Sequence, residues 1–201
     1  EKRLVLMKRL EETRDARDDG AEQNANSLTT VPGITPEKLA EAQDSLTKAK
    51  RYIVRNVSFR GDPVTMSDLN RLDEYYIPLM IKESRLNNEA VSPKAAVGYF
   101  GITASAAADV EQDFAFEGRL TKKADKIYGS PINNCVYGML NLWLSRNKYA
   151  EQSRYSEVSP EDKDKLALMM HNKGPTKIGA LWDKLGANSY RDFQNKLSDA
   201  L

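Results

Sequence analysis

The sequence predicts a mainly α-helical protein. Apolar residues recur at spacings of three and four along most of the chain, strand-like alternation is scarce, and Ser, Thr or Pro stands at the start of several periodic segments, where helices are capped. Breaker clusters divide the chain into an N-terminal helical extension over residues 1–60, with a linker near 24–36, and a main domain over 61–201.

Residues 1–26 are dense in mixed charge, with Leu4, Met7 and Leu10 forming a narrow apolar seam. That pattern predicts a solvated helix or arm, or alternatively a segment that docks on an assembly partner. The stretch NANSLTTVPGITP is rich in turn formers, and Pro36 then suits the first turn of a second helix running through Ala49 or beyond. FRGDPVT is a second breaker cluster, which puts the domain boundary near Gly61. Ser67 is read as the cap of the next helix, with Asp68 in its first turn and an apolar stripe of Leu69, Leu72, Tyr76, Leu79 and Met80. Pro78 is expected to kink or split that helix. Further helices are expected over Thr103 to Phe116, Asn133 to Asn147, Pro160 to Met170, Thr176 to Leu185 and Ser189 to Leu201.

Thirty basic and twenty-nine acidic residues nearly cancel, so no net field draws the chain to nucleic acid or to an anionic membrane. No apolar run reaches the length of a membrane span, and the chain reads as soluble. A chain of 201 residues buries an adequate core without disulfides, and the lone Cys135 does not fix the redox compartment. The first residue is Glu1 rather than methionine, which reads as a processed or trimmed piece. The single histidine and single cysteine do not make a zinc site, Gly174-Pro175-Thr176-Lys177 lacks the rest of a phosphate loop, and no cofactor or metal is expected.

The next position on the apolar stripe after Met80 is Glu83. A carboxylate on the apolar face of a helix is costly to leave ionised, so it is either paired or held in its protonated form. Position alone allows two readings. Glu83 pairs with Lys82, Arg85 or Lys94 and ends a helix, or it sits among rings such as Tyr75, Tyr76, Tyr99 and Phe100 and holds a proton near neutral pH, as the general acid of a glycosidase must. Asp109, Glu111 and Asp113 read as a solvated helix face rather than as partners of Glu83.

The twenty residues that begin with Glu83 carry a resemblance. ESRLNNEAVSPKAAVGYFGI, from Glu83 to Ile102, resembles the signature of the soluble lytic transglycosylase family of the lysozyme-like superfamily: a Glu-Ser pair ending a helix, an Asn-x-x-Ala-x-Ser-x-x-x-Ala-x-Gly loop, an aromatic or apolar pair, then usually glutamine. SPINNCVYGMLNL, from Ser130 to Leu142, is similar to the family's Asp-Pro-x-x-Asn-Ile-x-x-Gly-x-x-Tyr-Leu helix. LALMMHNKGP, from Leu166 to Pro175, is similar to its Ala-x-Ala-Tyr-Asn-Ala-Gly-Pro motif. The three stand in the family's order across about Pro78 to Ile178.

The resemblance implies a lysozyme-like transglycosylase domain with its groove over the end of the Glu83 helix. It also implies cleavage of peptidoglycan strands between N-acetylmuramic acid and N-acetylglucosamine. Carried over residue by residue, Glu83 is the single catalytic group, first acid and then base toward the muramyl 6-hydroxyl, giving a 1,6-anhydro product without a second carboxylate. Ser84, Ser92, His171 and Asn172 support it, and Gly98, Tyr99, Phe100, Gly101 and Ile102 line the substrate. Tyr99 and Phe100 are read either as a platform for a sugar ring or as core. Gly101 stands where the family usually has glutamine, removing one amide from the substrate side, and His171 stands where it usually has tyrosine. A neutral His171 is the form compatible with an acid at position 83. The implied location is the bacterial periplasm or cell envelope, or a phage particle. The alternatives from the same fold are a cell-wall-binding or structural module of a phage particle or secretion apparatus in which catalysis has decayed, and a hydrolytic lysozyme or chitin-cleaving enzyme.

Overall fold

The computed structural model describes residues 31–117 and 130–199. The charged segment expected to be helical over 1–26, and the linker up to residue 30, lie outside the described residues. Within them the protein is mainly α, with eight α-helices and one small antiparallel sheet.

Helix α1 (Pro36–Asn56) starts as its sequence directs, with Thr35 accepting from the Lys38 amide and Pro36 in the first turn. Its buried residues Leu39, Ala42, Leu46, Ala49 and Ile53 fall at alternating steps of three and four, one stripe of the cylinder. That stripe packs on α5 (Pro131–Leu144), the central helix, in which every residue from Asn134 to Leu140 is buried, Cys135 among them. The α1 stripe belongs to the same core as residues from Val57 to Ala167. The boundary expected near Gly61 therefore separates no two cores: α1 is part of the main body. At roughly 1.5–3 kcal/mol for each large aliphatic side chain buried, its Leu and Ile residues contribute to the stability of the whole.

The FRGDP segment is a hairpin, not an interdomain breaker. Strands β1 (Val57–Phe59) and β2 (Asp62–Pro63) pair through a two-residue turn in which Arg60 and Gly61 both have positive φ, 53° and 96°, as tight hairpins of this kind require. The Arg60 guanidinium lies over the Phe59 ring, 5.1 Å from its centroid. On its other side β1 pairs with β3 (Phe114–Phe116), so the sheet order is β2-β1-β3. The helix expected to reach Phe116 accordingly stops early: α4 (Ala104–Asp113) gives way to three extended residues whose Phe114 packs on Phe59 and Trp143. The α4 carboxylates are not a uniformly solvated face. The Tyr137 hydroxyl donates to Glu111 at 2.7 Å, and Lys148 donates to Asp113 at 2.6 Å, which holds the Lys148 ammonium above its ordinary range. Among the three, Asp109 is the exposed one.

The segment before Glu83 forms two helices, α2 (Met66–Asn70) and α3 (Asp73–Ser84). The cap is Thr65 rather than Ser67. Thr65 Oγ1 accepts from the Asp68 amide while Asp68 accepts from the Thr65 amide, a reciprocal box that requires the acid three residues after the cap. The break falls at Arg71–Leu72, not at Pro78, which lies inside α3. Because α3 restarts at Asp73, the proline crowds only the carbonyl of Glu74 in the first turn.

A π-helical turn, Ser145–Tyr149, follows α5, and α6 (Pro160–Lys173), α7 (Pro175–Leu185) and α8 (Tyr190–Asp199) complete the chain. Tyr155, Leu166, Met170, Ile178, Trp182 and Phe193 form a second apolar cluster among these elements. Helix α6 bridges the two clusters, since Ala167 belongs to the first. At the junction Arg146, 2% exposed, donates to Asp164 of α6 and to Glu151, and Arg71 approaches the same Asp164 at 3.6 Å.

Candidate functional site

Glu83 is the penultimate residue of α3. The chain leaves the helix through Arg85 and Leu86, both left-handed with φ of 54° and 56°. Neither is glycine, so each costs on the order of 1–2 kcal/mol, which the anchoring of the helix end must offset. Leu86 is buried, and the Arg85 and Leu86 amides bond back to Ile81 and Met80. Ser84 completes the anchor: its hydroxyl lies 2.9 Å from the Met80 carbonyl and 3.1 Å from that of Tyr99, tying α3 to the loop that comes after it.

That loop ends in a tight turn. Val97 and Ile102 exchange backbone hydrogen bonds, and the Gly101 amide donates to the Gly98 carbonyl at 3.1 Å. The turn is clamped from α5 by Asn134, whose amide group donates to Val97 O and whose carbonyl accepts from the Phe100 amide, both at 2.9 Å. Two glycines make the arrangement possible. At Gly98, φ 73°, a Cβ would stand 2.2 Å from Asn134 Nδ2. At Gly101, φ 57°, a Cβ would stand 3.2 Å from Glu83 Oε2. The Gly101 backbone is therefore laid directly against the carboxyl group.

The third wall is the end of α6. Lys82 Nζ lies 3.5 Å from Glu83 Oε1 and donates to Asn172 Oδ1; the Asn172 amide group in turn donates to the Leu168 carbonyl at 2.9 Å. His171, beside Asn172, has its Nδ1 shut off from solvent and without a hydrogen-bond partner among the described residues. Burial, and then the Lys82 charge, push the imidazole down to about 4, against an opposing backbone contact with Phe100. It is neutral at physiological pH. Glu83 is exposed as a residue, its side chain 28% so, with Lys82 and the Gly101 backbone against its two oxygens.

Of the expected site the structure sets Gly101 directly against Glu83 and brings Asn172 and His171 to Lys82 beside it; the others it turns to different roles. Tyr99, Phe100 and Ile102 are core: Phe100 is 1% exposed and meets Tyr76 edge-on at 6.2 Å. Their side chains line no substrate surface, because the Asn134 clamp turns them inward. Gly98 is likewise buried against Asn134 rather than facing a ligand. Ser92 accepts from the amides of Lys94 and Ala96 and shapes its own loop, with no hydrogen bond to Glu83. Ser84 acts as an anchor of backbone carbonyls rather than on the carboxyl. Two contributors escape the sequence reading: Asn134, whose signal is its place in the second motif, and Lys82, which the sequence offers only as a partner that would make Glu83 inert. No family model, curated protein or solved structure matches the chain.

His171 gives a test of this geometry without any substrate. Its folded value lies below that of the unfolded chain, so between about pH 6.5 and pH 4 the unfolded state binds more protons. Stability falls as pH drops through that window, by up to about 1.4 kcal/mol per unit from this group, and the loss ends below about 4, where both states are charged. Urea unfolding across the window should show the loss, and His171→Tyr should remove its share. An identical pH slope in the variant would contradict a neutral ring with its Nδ1 shut off from solvent.

Proposed function

We propose that the chain is a peptidoglycan lytic transglycosylase with a lysozyme-like catalytic domain and Glu83 as its single acid/base. The observation that carries the proposal is the setting of that carboxyl: it stands at the end of a helix with one oxygen against the bare backbone of Gly101 and the other facing Lys82, which is bonded to Asn172, the chain neighbour of the neutral His171. Apart from Lys82, these residues come from the first and third of the segments that resemble the family, and Asn134 of the second clamps the turn that carries Gly101.

Protonated Glu83 gives its proton to the oxygen between N-acetylmuramic acid and N-acetylglucosamine as that bond breaks. The positive charge left on the muramyl ring is stabilised by the sugar's own N-acetyl group, so no enzymic nucleophile is needed. The Glu83 carboxylate then removes the proton of the muramyl 6-hydroxyl, whose oxygen closes on the anomeric carbon to give the 1,6-anhydro sugar. The acid is regenerated and no water is consumed. Glycan strands of the bacterial envelope are the partner this chemistry requires. The setting is the periplasm or a phage particle, with the N-terminal segment linking the domain to a larger assembly.

Digestion of purified cell walls with mass spectrometry of the products tests the reaction class. Transglycosylation yields muropeptides lighter by one water than the products of a hydrolytic lysozyme; products carrying that water would replace the assignment by hydrolysis. The Lys82 ion pair and the inward-facing Tyr99 and Phe100 favour the second reading, a wall-binding module with decayed catalysis. Its signature is retention on sacculi with no soluble sugar released.

A further inference from the structure

The two oxygens of Glu83 have different neighbours. Oε1 faces the Lys82 ammonium at 3.5 Å, while Oε2 lies against Gly101. The ammonium is itself held in place by Asn172, which is fastened to the Leu168 carbonyl of α6. Lys82 therefore ties the end of α3 to the end of a helix that also serves the second apolar cluster.

An ammonium has three hydrogens to donate and no lone pair, so it tolerates an oxygen that accepts and repels one that carries a proton. We infer that Lys82 is a positioning residue: it keeps Oε1 as the bare oxygen, so that Oε2, in the space Gly101 leaves open, carries the proton delivered to substrate. This rests on the acid/base role proposed for Glu83. Against the carboxyl stand Lys82 of α3 itself and the backbone of Gly101, while uncharged Asn172 and neutral His171 of α6 interact with Lys82. Among the described residues Lys82 is the one cation within ion-pair distance of Glu83.

When Lys82 is removed the turnover falls, because the proton is no longer confined to one oxygen. The test compares wild type with Lys82→Met and Lys82→Arg in kcat and KM on solubilised peptidoglycan, with thermal unfolding to check that each variant is folded. For Lys82→Met kcat is expected to fall roughly tenfold at nearly constant KM. Lys82→Arg is expected to restore it. If wild type cleaves and Lys82→Met matches it in kcat, the inference is overturned while Glu83 keeps its role. If wild type cleaves no peptidoglycan at any pH, the assignment of Glu83 fails first and takes the inference with it.

Discussion

Replacing Glu83 by glutamine is expected to cut peptidoglycan cleavage by a factor of roughly 10²–10⁴ while the protein remains folded. The glutamine keeps the size of the side chain and its place beside Gly101 but can neither deliver a proton to a glycosidic oxygen nor take one from a hydroxyl. Structurally the change is mild. It removes one partly exposed ion pair with Lys82, worth at most about 1 kcal/mol, which corresponds to a Tm change within about 4 °C for a protein of this size. Activity and stability thus separate cleanly in this variant. Cell-wall clearing by Glu83→Gln at the wild-type rate would refute the catalytic assignment, and a collapse of Tm would show that the carboxyl is structural.

The largest expected effect on stability lies elsewhere, at Arg146. Its side chain is 3% exposed and neutralises Asp164, which is itself nearly buried, while Glu151 and Lys163 complete the cluster at the surface. Removing one partner of a buried ion pair strands the other charge, at a typical cost of about 3–5 kcal/mol. Arg71, at 3.6 Å from Asp164, offsets part of this. Arg146→Met is therefore expected to lose about 3 kcal/mol in urea unfolding, near the lower end of that range. The cost is in the orphaned charge rather than in lost attraction, so Arg146→Met/Asp164→Leu should recover most of it. A double variant no more stable than the single one would show that the packing of the π-helical turn, not the charge, was lost.

How far the sequence leads depends on the range of the interaction concerned. Helices written in local patterns are recognisable: Pro36 opens α1, the Leu39 to Ile53 spacing marks its buried face, and Pro160 and Pro175 begin α6 and α7. Choosing Ser67 over Thr65 as a cap overlooks the reciprocal bond with Asp68, which places the acid at the third helical position. The hairpin at Arg60–Gly61 and the strand Phe114–Phe116 are hidden for a different reason. Strands of two or three residues are too short to show alternation, and β3 is extended because it pairs with Val57–Phe59, more than fifty residues away. Position on the stripe leaves Glu83 with two readings, and it is the motif from Glu83 to Ile102 that singles it out. The inward turn of Tyr99, Phe100 and Ile102 is not legible locally, since it is imposed by Asn134 from 34 to 37 residues along the chain. Likewise only folding brings Lys82 and Asn172 together, ninety residues apart, and so turns a lysine beside the carboxyl from an ordinary surface charge into part of the site.

The most direct test of the central claim is a crystal structure of the Glu83→Gln protein soaked with a muropeptide oligomer too short-lived to trap on the active form. A glycosidic oxygen within about 3 Å of the residue 83 side chain, with the sugar resting over Gly101 and the end of α6, is the predicted result. A glycan bound away from position 83, or none bound at concentrations that saturate cleavage by the wild type, would contradict it.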